Sequence, residues 1–229
     1  MTPFTTLQAI ACPLPLANID TDQLVPARFL KQPRAEGYGG FLLHDLRFGA
    51  DGKGASAMAL DDKRYQGASI LVARRNFGGG SSREGAVYAL LDFGIRCVIT
   101  PSFGDIFASN CVMNGLLPAC VNEIDAEALL AHLQEFPGAA ILVDLETQWI
   151  VCGNKTCTFS IDSFLKTKLL NGWDDVDVTK SFAKAMSSFL LKDAAARPWA
   201  RPTLPAARRQ QARPGDSPSP DHPSAARET

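Results

Sequence analysis

The stretch Ser69–Val121, SILVARRNFGGGSSREGAVYALLDFGIRCVITPSFGDIFASNCVMNGLLPACV, decides the fold. Its opening run, SILVA, is short, apolar and β-branched, as a buried strand is. IRCVIT and LLPACV repeat that character further on. Between them Val87, Leu90 and Leu91 recur at helical spacing up to Gly94, and Pro101–Gly115 predicts a second helix closed by its glycine. Strand, helix, strand, helix, strand with short links predicts parallel crossovers in an α/β sheet.

One part of the stretch does not serve this alternation. In GGGSSRE, Gly78–Glu84, the pair Ser81 and Glu84 has capping-box spacing, with Ser81 at N-cap and Glu84 at N3. A helix cap is the plain reading. Three glycines just before the box and an arginine inside it support another. Glycines let a ligand approach the backbone, and a helix start offers unpaired N–H groups and a dipole that favours negative charge. Arg83 adds a planar fork suited to carboxylate or phosphate. No Gly-Lys-Ser/Thr follows and no G-x-G-x-x-G is present, so neither a P-loop nor a dinucleotide fingerprint fits. Two serines beside an arginine suit a carboxylate, with one hydroxyl left over for chemistry. Cap and anion site both remain open at this point.

Upstream, Thr5–Cys12 predicts an opening strand, followed by the loop LANIDTDQLVPARFL (Leu16–Leu30) and a glycine-rich segment from Lys31 to Gly54. Downstream, Asp125–Phe136 is amphipathic, with Leu129, Leu130, Leu133 and Phe136 on one side. Strands joined by a turn at Cys152–Lys155 follow, then helices over Ser163–Leu170 and Thr179–Asp193. From Ala194 the composition changes to seven prolines and six arginines with almost no large aliphatics. Such a stretch buries too little apolar surface to offset its ordering entropy, which predicts a domain over 1–193 and a disordered tail over 194–229.

Global properties remove several function classes. Lys plus Arg total 23 against 24 acids, a net charge of −1, which gives no electrostatic reason to expect nucleic acid. No apolar run is long enough for a membrane span, and the N-terminus lacks the basic start and apolar stretch of a secretory signal. Cys12, Cys97, Cys111, Cys120, Cys152 and Cys157 are scattered without a C-x-x-C pair. They read as reduced thiols of a cytoplasmic protein, with neither a disulfide framework nor a metal site of their own.

GGGSSRE followed by DFGIRCVITPSFGDIF and NGLLPACV, with NIDTDQLVPARFL upstream, resembles the small subunits of 3-isopropylmalate dehydratase in the aconitase family. The resemblance runs from about Thr5 to Pro202. It implies a swivelling β/β/α domain, with a partly parallel sheet flanked by helices. It also implies half an enzyme: a large subunit, in a heterodimer or heterotetramer, would carry a [4Fe–4S] cluster, and this chain would bind none. The implied reaction isomerises 2-isopropylmalate to 3-isopropylmalate by dehydration and rehydration, in leucine biosynthesis. Carried over by motif, Ser81 would be the general base, Ser82 and Arg83 would hold a substrate carboxylate, and Arg34 would read the substrate's side chain and second carboxylate. Asp20 and Asp22, with Gly78, Gly79 and Gly80, would order the loops at the site; an Asx turn is the alternative for the two aspartates. Gly79 stands where the family usually has Cys or Thr, and Gly85 where it usually has His. These departures keep open a related substrate, such as 2-methylmalate (citraconate) or dimethylmalate, and a non-catalytic carboxylate-binding module.

Overall fold

The computed structural model describes residues 1–49 and 58–200. Three strands buried at nearly every residue form the parallel half of the sheet: β2 (Ile70–Ala73), β3 (Cys97–Thr100) and β4 (Leu117–Cys120). Burial on both faces explains why they read as continuous apolar runs. The opening strand β1 (Thr6–Leu14) serves two partners. Its second half, Ala11–Leu14, lies parallel to β2, while its first half, Thr6–Ile10, lies antiparallel to β5 (Ala140–Asp144). The antiparallel half continues through β6 (Trp149–Cys152) and β7 (Lys155–Thr158), joined by the expected tight turn. The order is β4-β3-β2-β1-β5-β6-β7. Reciprocal backbone bonds between Cys120 and Ser160, 3.2 and 2.7 Å, link the β4 edge to the residues after β7, so the sheet curls on itself.

In chain order the helices are α1 (Thr21–Leu24), α2 (His44–Phe48), α3 (Glu84–Phe93), α4 (Asp105–Met113), α5 (Glu123–Glu135), α6 (Ser163–Asn171), α7 (Asp175–Ser181) and α8 (Ala183–Ala196). Helices α3 and α5 pack on opposite faces of the parallel strands. Alternation along each strand sorts its residues between two cores. Leu71, Ala73 and Val98 pack with Ala86, Val87 and Leu90 of α3. Ile70, Val72, Cys97 and Ile99 pack with Leu129, Leu130 and Leu133 of α5. Truncating a side chain such as Leu90 in these cores costs about 2–5 kcal/mol. The result is the α/β architecture, a partly parallel sheet flanked by helices, that the resemblance implied.

Three local readings change. Ser81 is not a helix cap: α3 begins at Glu84 with Arg83 at the N-cap position, and no side chain caps it. The Ser81 carbonyl is engaged in a turn before the helix, accepting from the Arg83 N–H at 2.8 Å, and Glu84 turns aside to accept from Asn114 Nδ2 at 2.8 Å. A capping box does exist, at Asp20. Its carboxylate accepts from the Gln23 N–H at 2.7 Å, and Gln23 Oε1 accepts from the Asp20 N–H at 3.0 Å, so Asp20 starts α1. Last, the helix expected over Thr179–Asp193 is two helices, α7 and α8, separated at Phe182.

Met1–Ser181 forms one compact unit, and a second begins at Phe182. The tail expected from residue 194 has its first residues in α8 and in a 3₁₀ turn over Pro198–Ala200. From 201 onward it lies outside the described residues.

Candidate active site

The crossovers after β2 and β3 leave the C-terminal ends of those strands through glycine. Ligand crevices of open α/β sheets lie at that edge. Residues 76–83 follow β2, Pro101–Gly104 follow β3, and the loop 16–20 follows β1. Two isolated parallel bridges, Asp20 with Gly79 and Phe77 with Phe103, extend the sheet pairing into these loops. Gly104 allows the closest approach: a Cβ there would sit 2.6 Å from the Gly78 carbonyl oxygen. Gly78 itself has φ of +72°, and a Cβ on it would fall inside the Phe107 ring.

Between the loops is a cleft of ≈ 340 Å³. Asn76 and Gly78 to Ser81 line one side, and Gly104 to Phe107, the start of α4, line the other. The Ser81 side chain is exposed here, and its hydroxyl has no hydrogen-bond partner among the described residues. Ser82 is also exposed and unpartnered. The backbone N–H groups of Gly80, Ser81 and Ser82 likewise find no acceptor among the described residues. Successive free N–H groups around a positive-φ residue (Gly80, +89°) make an anion-binding concavity. Arg83 is held by an ion pair from one guanidinium nitrogen to Asp22, which leaves the rest of its fork without a partner. Asp105 is the carboxylate in the lining.

Asp20, Asp22, Gly78, Gly79, Gly80, Ser81 and Arg83 are therefore gathered by direct contacts. Gly78 donates to the Ile19 carbonyl at 2.7 Å, and the Gly79 carbonyl accepts from the Thr21 N–H at 3.0 Å. Arg34 is placed differently. Its guanidinium lies 3.8 Å from the Tyr88 ring centre and 3.5 Å from the Asp92 carboxylate, against the flank of α3. Burial and a hydrogen bond to Glu84 push the Tyr88 phenol up. Sequence reasoning missed Asn76, Gly104, Asp105 and Thr21. A second glycine at a strand-to-helix corner, in SFGD, was the available signal for Gly104 and Asp105. A comparable hollow of ≈ 390 Å³ between Leu16 and Tyr65 contains Asp62 and Arg64, which are already paired with each other.

The cysteines do not form a cluster site. Among the described residues no three His, Cys, Asp or Glu side chains converge as a metal site. Burial pushes the Cys12 thiol up to about 12 and Cys157 to about 11, and lifts Cys97 and Cys111 well above the ordinary range. Iron–sulfur ligation needs convergent thiolates. No helix among the described residues is long and apolar enough to cross a membrane.

The sheet, the crossovers and the glycine-walled cleft define the class. Residues 1–123 match the family described as Aconitase C-terminal domain. A 3-isopropylmalate dehydratase small subunit of Allorhizobium ampelinum is 46% identical over 201 residues, covering 87% of this chain and 100% of that protein. One from a Jannaschia species is 45% identical over 200 residues, with the same coverage. The chain belongs to the family of 3-isopropylmalate dehydratase small subunits. A solved structure described as 3-isopropylmalate dehydratase from Methanocaldococcus jannaschii superimposes with a TM-score of 0.56 at 26% identity, covering 80% of this chain and 98% of that one.

Proposed function

We propose that the chain is the small subunit of a heteromeric hydro-lyase interconverting 2- and 3-isopropylmalate in the leucine pathway of the cytoplasm. The observation that carries this reading is the Ser81 hydroxyl, which has no partner among the described residues and stands among N–H groups that likewise find none there, beside Arg83. Arg83, the Ser82 hydroxyl and the N–H groups hold a substrate carboxylate. Ser81 Oγ takes the proton from the carbon alpha to it, and the C–H pair becomes the alkene as hydroxide leaves. Rehydration at the neighbouring carbon completes the isomerisation. A serine hydroxyl is far too weak an acid to be ionised at neutral pH unless the anion is stabilised. The free N–H groups and Arg83 supply that stabilisation.

The chain is half of the site. The large subunit supplies the acid for the departing hydroxyl and holds the [4Fe–4S] cluster that this chain's cysteines do not fit. Gly79 favours attention to a second substrate. It lines the cleft without a side chain, so 2-methylmalate or dimethylmalate belongs in the same assay. The test is reconstitution. The purified chain alone is expected to show no alkene formation by ultraviolet absorbance, and the mixture with a cluster-bearing large subunit to show turnover. Turnover by the metal-free chain alone would overturn the heteromeric reading.

A further inference from the structure

Thr21 is 1% exposed, yet it is polar and lies next to the cleft. Burying a hydroxyl costs free energy unless it is hydrogen-bonded. Its bond runs across sixty residues of sequence: Oγ1 donates to the Ser81 carbonyl oxygen at 2.8 Å. The Thr21 backbone N–H donates to the Gly79 carbonyl at 3.0 Å. One residue thus grips the carbonyls on either side of Gly80, the positive-φ residue of the nest. In a planar trans peptide the N–H lies opposite the carbonyl, so drawing these two carbonyls toward Thr21 turns the N–H groups of Gly80 and Ser82 away from it. Ser81, with its carbonyl held in this way, does not take the cap position that its spacing to Glu84 suits.

We infer that Thr21 is a positioning residue, whose hydroxyl sets the orientation of the Ser81 peptide and so of the attacking oxygen and the anion nest. This rests on the reading of Ser81 as the base. Misplacement of a reacting group by about 1 Å costs on the order of 10²-fold in rate. In the assembled holoenzyme, Thr21→Val, which keeps the shape and loses the donor, should lower kcat by about 10–100-fold. Thr21→Ser restores the donor and should return kcat to within about threefold of the parent, although it packs less well. A merely structural threonine gives the opposite order, because valine fills the buried space better than serine.

The double variant with Ser81→Gly separates the two claims. If Thr21 acts through Ser81, adding Thr21→Val to Ser81→Gly should change kcat by less than about twofold. Ser81→Gly inactive with Thr21→Val at parental rate overturns the positioning role and leaves the base standing. Ser81→Gly at parental rate overturns the base, and the positioning role with it. Should Thr21→Val fail to assemble, Thr21→Ala against Thr21→Ser carries the comparison: equal kcat in those two rejects the inference.

Discussion

Two glycine-rich stretches of this chain look alike as text and behave oppositely as structure. In residues 78–83 the N–H groups of Gly79 to Ser82, two serine hydroxyls and most of the Arg83 fork have no partner among the described residues. In the segment around Arg34–Phe41 the polar side chains are engaged within the fold. The Tyr38 N–H donates to Asp92 Oδ2 at 3.0 Å, its hydroxyl to the Gln32 carbonyl at 3.0 Å, and Arg34 rests on Asp92 and Tyr88. Glycine lets both segments fold tightly, with Gly39 pressed against the Asp92 backbone much as Gly104 is against Gly78. Glycine content therefore marks tight folding. Side-chain donors without partners among the described residues set residues 78–83 apart.

The contrast breaks most visibly at Gly78. Gly78→Ala places a Cβ in the Phe107 ring at a positive φ, and should destabilise the chain by about 2–4 kcal/mol in chemical denaturation. Loss below about 0.5 kcal/mol would show that the knot yields more than its packing allows. Arg83→Lys comes next. Lysine keeps the charge and loses the two-point grip, so kcat/KM should fall about 10–100-fold for every hydroxy diacid alike.

Arg34→Ala is a smaller change and a sharper one. Its ion pair is half exposed, so stability should move by less than about 1 kcal/mol. If Arg34 also reads substrate, the ranking of 2-isopropylmalate, 2-methylmalate and dimethylmalate by kcat/KM shifts. An unchanged ranking makes it a brace of its own loop. Smallest is Gly40→Ala, where an added Cβ meets nothing within 4 Å and φ is not positive. It should leave the melting temperature unchanged or raise it slightly, by about 0.4–1 kcal/mol of stability.

The parallel half of the fold was legible because β2, β3 and β4 are buried on both faces, so apolar runs bounded by glycines had one interpretation. The double pairing of β1 was not, since both partners lie far along the chain. The site residues after β2 were readable as a group by their chemistry. Their local geometry was not. Capping-box spacing occurs at both Asp20–Gln23 and Ser81–Glu84, and only the first forms. At the second, the Ser81 carbonyl is held by the buried Thr21, through a bond that spans sixty residues and leaves no local trace. Arg34 and its partners Tyr88 and Asp92 were hidden for the same reason.

The central claim is that Ser81 Oγ is the base, and the structure removes the usual confusion from its test. Because Ser81 caps no helix and its hydroxyl has no partner among the described residues, Ser81→Ala should cost less than about 0.5 kcal/mol of stability. The decisive measurement is steady-state turnover of Ser81→Ala assembled with its large subunit, with folding and cluster content matched to the parent. The account predicts a fall in kcat of about 10²–10⁴-fold with KM nearly unchanged. A matched variant turning over within a few-fold of the parent would contradict it and place the base elsewhere.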